Sequence, residues 1–312
     1  MNKNKVIAIV VTTAAIIYAL WEVVGPDLKY NAAVAMMNEG KYEKAIAAFD
    51  ALGSYKDSFK QKSECQTAID DKAYEEAFAL MNEGKYEEAL AAFDALDGYK
   101  DSTIKARSIR EKLNFEQMKA AEAGEYITFG AYYQNYYGSK EDIEWLVLER
   151  DDDKLFVISK YVLDRQLYND EIESVTWETC TLRKWLNGTF LNGAFSKSER
   201  SLIQTTEVSE DKNPYWKTDP GEATNDKIFL LSMDEAKKYF ASDKARICEK
   251  DNGDACSWWL RSPGIYQQVA ACVKEDGRVS LDEGVFLMSS WQYEVTYVPE
   301  GVRPAMWIDL DA

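Results

Sequence analysis

The chain has 312 residues, 46% hydrophobic and 29% charged, a composition that fits globular folding around more than one core. Asp and Glu outnumber Lys and Arg by 54 to 37, and the net charge of -17 repels phosphate backbones, which argues against a nucleic-acid partner. There is no histidine, so Ser-His and Cys-His nucleophile pairs, histidine zinc sites and histidine pH switches are excluded.

Lys3 and Lys5 precede a run from Val6 to Val24 that is interrupted only by Thr12, Thr13, Tyr18 and Glu22. As a helix it would span roughly 28 Å, one hydrocarbon core. This pattern predicts a transmembrane anchor over residues 1–25. Cleavage as a leader is disfavoured because Val23-Val24-Gly25 runs straight into Pro26. The flanking lysines predict a cytoplasmic tip and a single-pass protein in the cell membrane, with the rest of the chain extracytoplasmic, at the cell surface.

Residues 30–58 and 74–102 are two copies of one unit, 44 residues apart and identical at 21 of 29 positions. In the first copy Tyr30, Ala33, Val34 and Met37 share a helical face, Gly40 marks a stop, and Ala45, Ala48, Phe49 and Leu52 form a second face. Asp57 and Asp101, each followed by serine, read as N-caps. The Gly-x-Tyr-x-x-Ala pattern with a later aromatic resembles the tetratricopeptide repeat, although the period is about ten residues longer than its usual ~34. The extra length is expected to extend the helix that starts near Asp57. We assign tetratricopeptide-like helical repeats to residues 26–119. Their identity lies in packing positions, which predicts a spacer.

After Ala120-Ala121-Glu122-Ala123-Gly124 the periodicity changes to short apolar runs, among them 143–148, 155–159 and 228–231, with helical patterns at 177–191 and 233–240. Residues 124–312 therefore read as an α+β domain, and the whole chain as a multidomain protein. The ordered set Phe129-Gly130-x-Tyr132-x-Gln134, IEWLVL (143–148), WETCTLRKWLN (177–187), FLLSMDEAKKYF (229–240), WWLRSPG (258–264) and GVRPA (301–305) resembles an uncharacterised domain of unknown function carried by proteins of Gram-positive, often gut-dwelling bacteria. More distantly, Leu231-Ser232-x-x-Glu235, the Trp-rich strand and the terminal Val-Arg-Pro resemble formylglycine-generating enzymes. That second resemblance implies a C-type-lectin-like fold.

Arg261 and Arg303 are flanked by residues that restrict the backbone, Pro263 and Gly264 in one case, Gly301 and Pro304 in the other. This predicts fixed arginines, either tied to Glu144 or Glu235 or contacting a ligand. Trp145, Trp185, Trp258 and Trp259 are expected in the core together with Glu144 and Glu235. Trp291 and Tyr293 lie in a loop-like stretch and, with Arg261 and Arg303, are the candidate ligand contacts. Cys248 and Cys256 flank a turn at Asn252-Gly253 and are expected to form a disulfide in an oxidising environment. No motif marks a metal, a cofactor or a catalytic residue. The expected function is a binding module for a glycan, cell-wall or protein ligand. The alternative is an exported enzyme on a formylglycine-generating-enzyme-like fold, which the missing histidine and the lack of a marked nucleophile disfavour.

Overall fold

The computed structural model describes residues 25–312 except 134–137, 172, 210–212, 214–215, 251, 284–285, 288–294 and 297–298. The chain divides into two compact units, one ending at Leu113 and one beginning at Asn114.

The first unit is helical: α1 (25–38), α2 (Tyr42–Leu52), α3 (Ser58–Asn82), α4 (Tyr86–Ala95) and the first part of α5 (Ser102–Ala120). The two copies build two equivalent cores. Ala33, Ala45, Phe49 and Cys65 are buried in one; Ala77, Ala89, Phe93 and Ile109 hold the corresponding places in the other. The alanines let the helix backbones approach while each phenylalanine fills the gap, and each buried ring contributes roughly 1.5–3 kcal/mol. Gly40 and Gly84 adopt positive φ at equivalent corners, where a side chain would be strained.

A turn network is also repeated. Lys56 pairs with Asp27 and lies over the rings of Tyr30 and Tyr55, at 4.9 and 5.6 Å. Lys100 pairs with Asp71 at 2.6 Å and lies over Tyr74 and Tyr99, at 4.8 and 5.5 Å. Asp57 stands at the N-cap position of α3 but makes no side-chain cap; its carboxylate accepts from the Tyr30 hydroxyl instead.

Two expectations are corrected here. Among the described residues no helix is long and apolar enough to cross a membrane. The longest, α3, carries charged residues through its length, including Lys60, Lys62, Glu64, Asp70 and Asp71. The expected span lies outside the described residues, so a single-pass membrane protein, its membrane partner and its extracytoplasmic placement are not supported. Nor is the helical unit a clear tetratricopeptide array. Its 25-residue α3 beside a 10-residue α4 does not fit a repeat of about 34 residues with two turns.

The second unit is α+β. One antiparallel sheet has the order β1-β2-β3-β13, from β1 (Tyr126–Tyr132), β2 (Glu141–Asp151), β3 (Lys154–Ser159) and β13 (Ala305–Asp309). A second has the order β4-β12-β7-β8-β9, from β4 (Asp164–Gln166), β12 (Glu300–Val302), β7 (Trp258–Pro263), β8 (Ala270–Val273) and β9 (Val279–Glu283), with β12 and β7 parallel. Alternation along β2 buries Ile143, Trp145 and Val147, so Glu144 points to the opposite face. There it pairs with Lys160 at 2.7 Å and is part-exposed rather than in the core. The outer edge of β13 is covered by bridges from Ile203 and Phe229, which blunts a strand edge. The apolar run 228–231 thus contributes a single bridge, not the expected strand. Two smaller ladders are β5 (Thr206–Val208) with β6 (Thr224–Asp226), and β10 (Phe286–Leu287) with β11 (Val295–Thr296).

The chain passes between the two large sheets twice. Residues 160–163 lead from β3 to β4, and Arg303-Pro304 lead from β12 to β13. The crossings run side by side, with Ser159 N–H donating to Pro304 O at 3.0 Å and Leu163 N–H to Val302 O at 3.0 Å. Gly301 is required here, since a Cβ on it would sit 2.6 Å from Ser257 O.

Candidate functional site

The helical motif at 177–187 converges on one buried carboxylate. It forms α6 (Thr181–Trp185), capped by Cys180, then a π-turn (Leu186–Phe190) and α7 (Leu191–Ala194), with α8 (Lys197–Leu202) following. Asp226 at the end of β6 accepts from Trp177 Nε1 at 3.0 Å, Thr224 Oγ1 at 2.6 Å and Arg183 Nε at 2.7 Å. Asn187 Nδ2 donates to Ile228 O at 2.8 Å, and its Oδ1 accepts from Lys227 N–H at 2.9 Å. Every one of these groups is spent on holding the chain. Burial pushes the Cys180 thiol up to about 12, so it is not a nucleophile at neutral pH.

The two arginines differ. Arg261 on β7 donates to both Glu235 oxygens, the Nη2–Oε1 bond measuring 3.0 Å, and to the carbonyls of Leu230 at 2.7 Å and Ser209 at 3.3 Å. Glu235 also accepts from Ser232 N–H at 2.8 Å in the capping box that starts α9 (Met233–Tyr239). Arg303 meets no carboxylate among the described residues. Its Nε donates to Ser159 O at 2.8 Å, and its guanidinium lies over the edge-to-face pair Phe240 and Trp258, 5.0 and 5.2 Å from their centroids. Burial lowers its pKa, and the nearby Cys248 acts against that.

A cleft of about 330 Å³ opens beside Arg261. It is lined by Glu149 (β2), Phe156 (β3), Thr206, Glu207 and Val208 (β5), Ser209, Phe229, Glu235, Lys238 and Tyr239 (α9), Arg261 and Trp307 (β13). Its floor is a ring stack: Phe156 lies 5.1 Å from Trp307 and 5.8 Å from Phe229, near parallel to both, with Tyr239 inclined at 5.5 Å. Phe156 and Phe229 are buried, while Trp307 and Tyr239 are half-buried and present ring surface. At the rim the Tyr239 hydroxyl donates to Glu149 Oε2 at 2.6 Å, and Lys238 Nζ reaches the same oxygen at 2.9 Å. These two bonds, Tyr239 first, hold the Glu149 carboxyl below its usual range. The Thr206 hydroxyl is buried in the wall without a hydrogen-bond partner among the described residues.

A family model described as a domain of unknown function, DUF6273, matches residues 152–310. The chain belongs to the DUF6273 family. No curated protein and no solved structure matches the chain, so the C-type-lectin-like expectation has no support. Within the DUF6273 domain the signature residues are mostly scaffold. Trp258 and Trp259 are buried on opposite faces of β7, their indoles donating to Arg246 O at 3.1 Å and Gln166 O at 2.8 Å. Ahead of the matched stretch, Trp145 is buried and donates to Phe129 O at 2.7 Å. Trp185 is half-buried, 5.4 Å from the Phe190 ring.

Of the predicted ligand contacts, Arg261 lines the cleft and Arg303 does not. Trp291 and Tyr293 lie outside the described residues. Cys248 and Cys256 face each other across a hairpin, with Cys256 N–H donating to Cys248 O at 2.9 Å, and both are buried free thiols whose pKa burial raises. Sequence reasoning missed Phe156, Tyr239, Trp307, Glu149 and Glu207. Each reads as an ordinary strand or helix residue, and only the partial exposure of Trp307 and Tyr239 distinguishes them.

Proposed function

We propose that the DUF6273 domain is a non-catalytic saccharide-binding module whose seat is the cleft over Phe156 and Trp307. The observation that carries this reading is the part-exposed pair Trp307 and Tyr239 in a concave recess fringed by carboxylates, a hydroxyl and an ammonium. Sugar rings offer apolar C–H faces to aromatic rings and hydroxyls to charged or polar groups, and this cleft supplies both. Binding is favoured over chemistry because the chain has no histidine and each of its five cysteines is buried. The helical unit serves as a spacer, since its repeated residues are spent on packing and on turn contacts.

The test is a saccharide array followed by calorimetry on the full chain, using neutral, acidic and amine-bearing oligosaccharides. Glu207→Gln and Tyr239→Phe should weaken the binding found while leaving the melting temperature nearly unchanged. Absence of binding to every class at millimolar concentration refutes the proposal.

A further inference from the structure

This inference rests on the saccharide reading of the cleft and names the class of sugar. The corner of the cleft formed by Glu149 and Tyr239 is an ammonium seat. Lys238 Nζ sits 2.9 Å from Glu149 Oε2, 2.9 Å from the Tyr239 hydroxyl and 4.5 Å from the Tyr239 ring centroid. A carboxylate, a hydroxyl and a ring face are the partners a primary ammonium uses. The Lys238 side chain is 62% exposed and reaches this seat only with its tip. An exposed pair of this kind gains little, because ordering a long side chain costs entropy and water screens the charges. The occupant is therefore displaceable.

The rest of the cleft supports a cationic ligand. Arg261 is 6% exposed, and its terminal nitrogens donate to Glu235 and two carbonyls, so its charge is already paired. Glu207 adds a third carboxylate to the lining and makes no ion pair among the described residues. With Lys238 swung aside, three carboxylates face a single, committed arginine, in a chain of net charge -17.

We propose that the cleft selects saccharides bearing a free amine, whose ammonium takes the Glu149–Tyr239 seat now filled by Lys238. The sugar ring lies on Trp307 and Tyr239, and Glu207 contacts the same cation or a neighbouring hydroxyl. An N-acetylated sugar of the same length has the ring but not the charge. An acidic sugar meets repulsion from Glu149 and Glu207.

The experiment compares glucosamine oligomers with N-acetylglucosamine oligomers of equal length, and with butylamine as an amine lacking a sugar, by calorimetry on the full chain. The amine oligomer is expected to bind about tenfold more tightly than the acetylated one. Lys238→Met should widen that ratio by removing the competing ammonium, and Glu149→Gln should collapse it. Raising the pH until the ligand amine is neutral should also collapse it. Equal or tighter binding of the acetylated oligomer, or a ratio indifferent to both substitutions, overturns the amine selectivity and leaves the saccharide reading standing. Binding of butylamine as tight as that of the amine oligomer, with no acetylated or other neutral saccharide bound, supports the ammonium seat and overturns the saccharide reading. No binding by any of the three overturns both.

Discussion

The helical unit and the DUF6273 domain each hold carboxylates with aromatic donors, but in opposite settings. Asp57 and Asp101 accept from Tyr30 and Tyr74, donors 27 residues away within one repeat, and the Asp101 side chain remains 45% exposed. Asp226 accepts from the Trp177 indole, 49 residues away, and from Thr224 and Arg183, and its side chain is 1% exposed. Water stands in for a lost partner in the first case and not in the second. The local network therefore trims the turns, while the long-range one holds the domain together. The sharpest way to break this comparison is Asp226→Ala. Arg183, itself 22% exposed, loses its carboxylate, and the Trp177 and Thr224 donors are stranded in the interior. The expected loss is about 3 kcal/mol, roughly 10 °C in Tm. A denaturation midpoint within error of wild type would show that Asp226 is not a structural node.

Next in size is Arg303, the buried charge that meets no carboxylate among the described residues. Arg303→Ala should cost about 2–4 kcal/mol, because it empties the space beside the Trp258 and Phe240 rings and frees the Ser159 carbonyl at the sheet crossing. Arg303→Met keeps the volume and removes a desolvated charge, so it should cost less than about 1 kcal/mol. If the methionine variant is as unstable as the alanine variant, the guanidinium's bond to Ser159 O matters more than its packing.

These two positions also show what the sequence makes legible. The repeat cores could be read directly, since Phe49 and Phe93 or Ala45 and Ala89 recur at helical spacing and at a fixed period. The Arg261–Glu235 pair was within reach, because the capping-box glutamate and the strand arginine each carry a local signature. The partner of Arg303 was not. A backbone carbonyl 144 residues away and two ring faces leave no mark in a residue pattern, so the pattern points to a carboxylate where none of the described residues supplies one. Asp57 reads as a cap because an aspartate-serine pattern is local, whereas the competing Tyr30 hydroxyl lies 27 residues away. The cleft was hidden for a further reason. Its rings sit at core-like positions on β3, β13 and α9, and concavity is a property of the packed elements rather than of any one of them.

A third prediction probes how firmly the long-range scaffold places its parts. Cys248 and Cys256 lie opposite each other beside the Glu249–Ala255 bridge of an antiparallel hairpin, joined by one backbone bond, and cross-strand Cα atoms at such a position lie about 5.5 Å apart, within disulfide reach. Mild oxidation should join them and add about 2 kcal/mol of stability, read by non-reducing peptide mapping and by the shift in denaturation midpoint. Recovery of both cysteines in alkylated form after oxidation would mean that the thiols do not meet.

The smallest expected effect lies in the helical unit and appears as a pH dependence. The Tyr30 and Tyr74 hydroxyls hold Asp57 and Asp101 below the ordinary aspartate range, and the Lys56 and Lys100 ammonium groups do the same for Asp27 and Asp71. A carboxyl whose folded pKa lies below its unfolded value of about 4 binds its proton more weakly in the folded state. Its contribution is therefore fully present above pH 4 or so and is lost as the pH falls through the folded value. Helix melting followed by far-UV circular dichroism should move to lower temperature as the pH falls from about 5 toward 2. In the double variant Asp57→Asn, Asp101→Asn the slope should be shallower and the neutral-pH melting temperature slightly lower, with the two curves converging in acid. Added salt should reduce the part due to the lysines, whose side chains are exposed, and leave most of the part due to the tyrosine hydroxyls. A double variant with the wild-type slope would mean that the repeated tyrosine–aspartate bonds contribute nothing, and that the helical unit rests on its two cores alone.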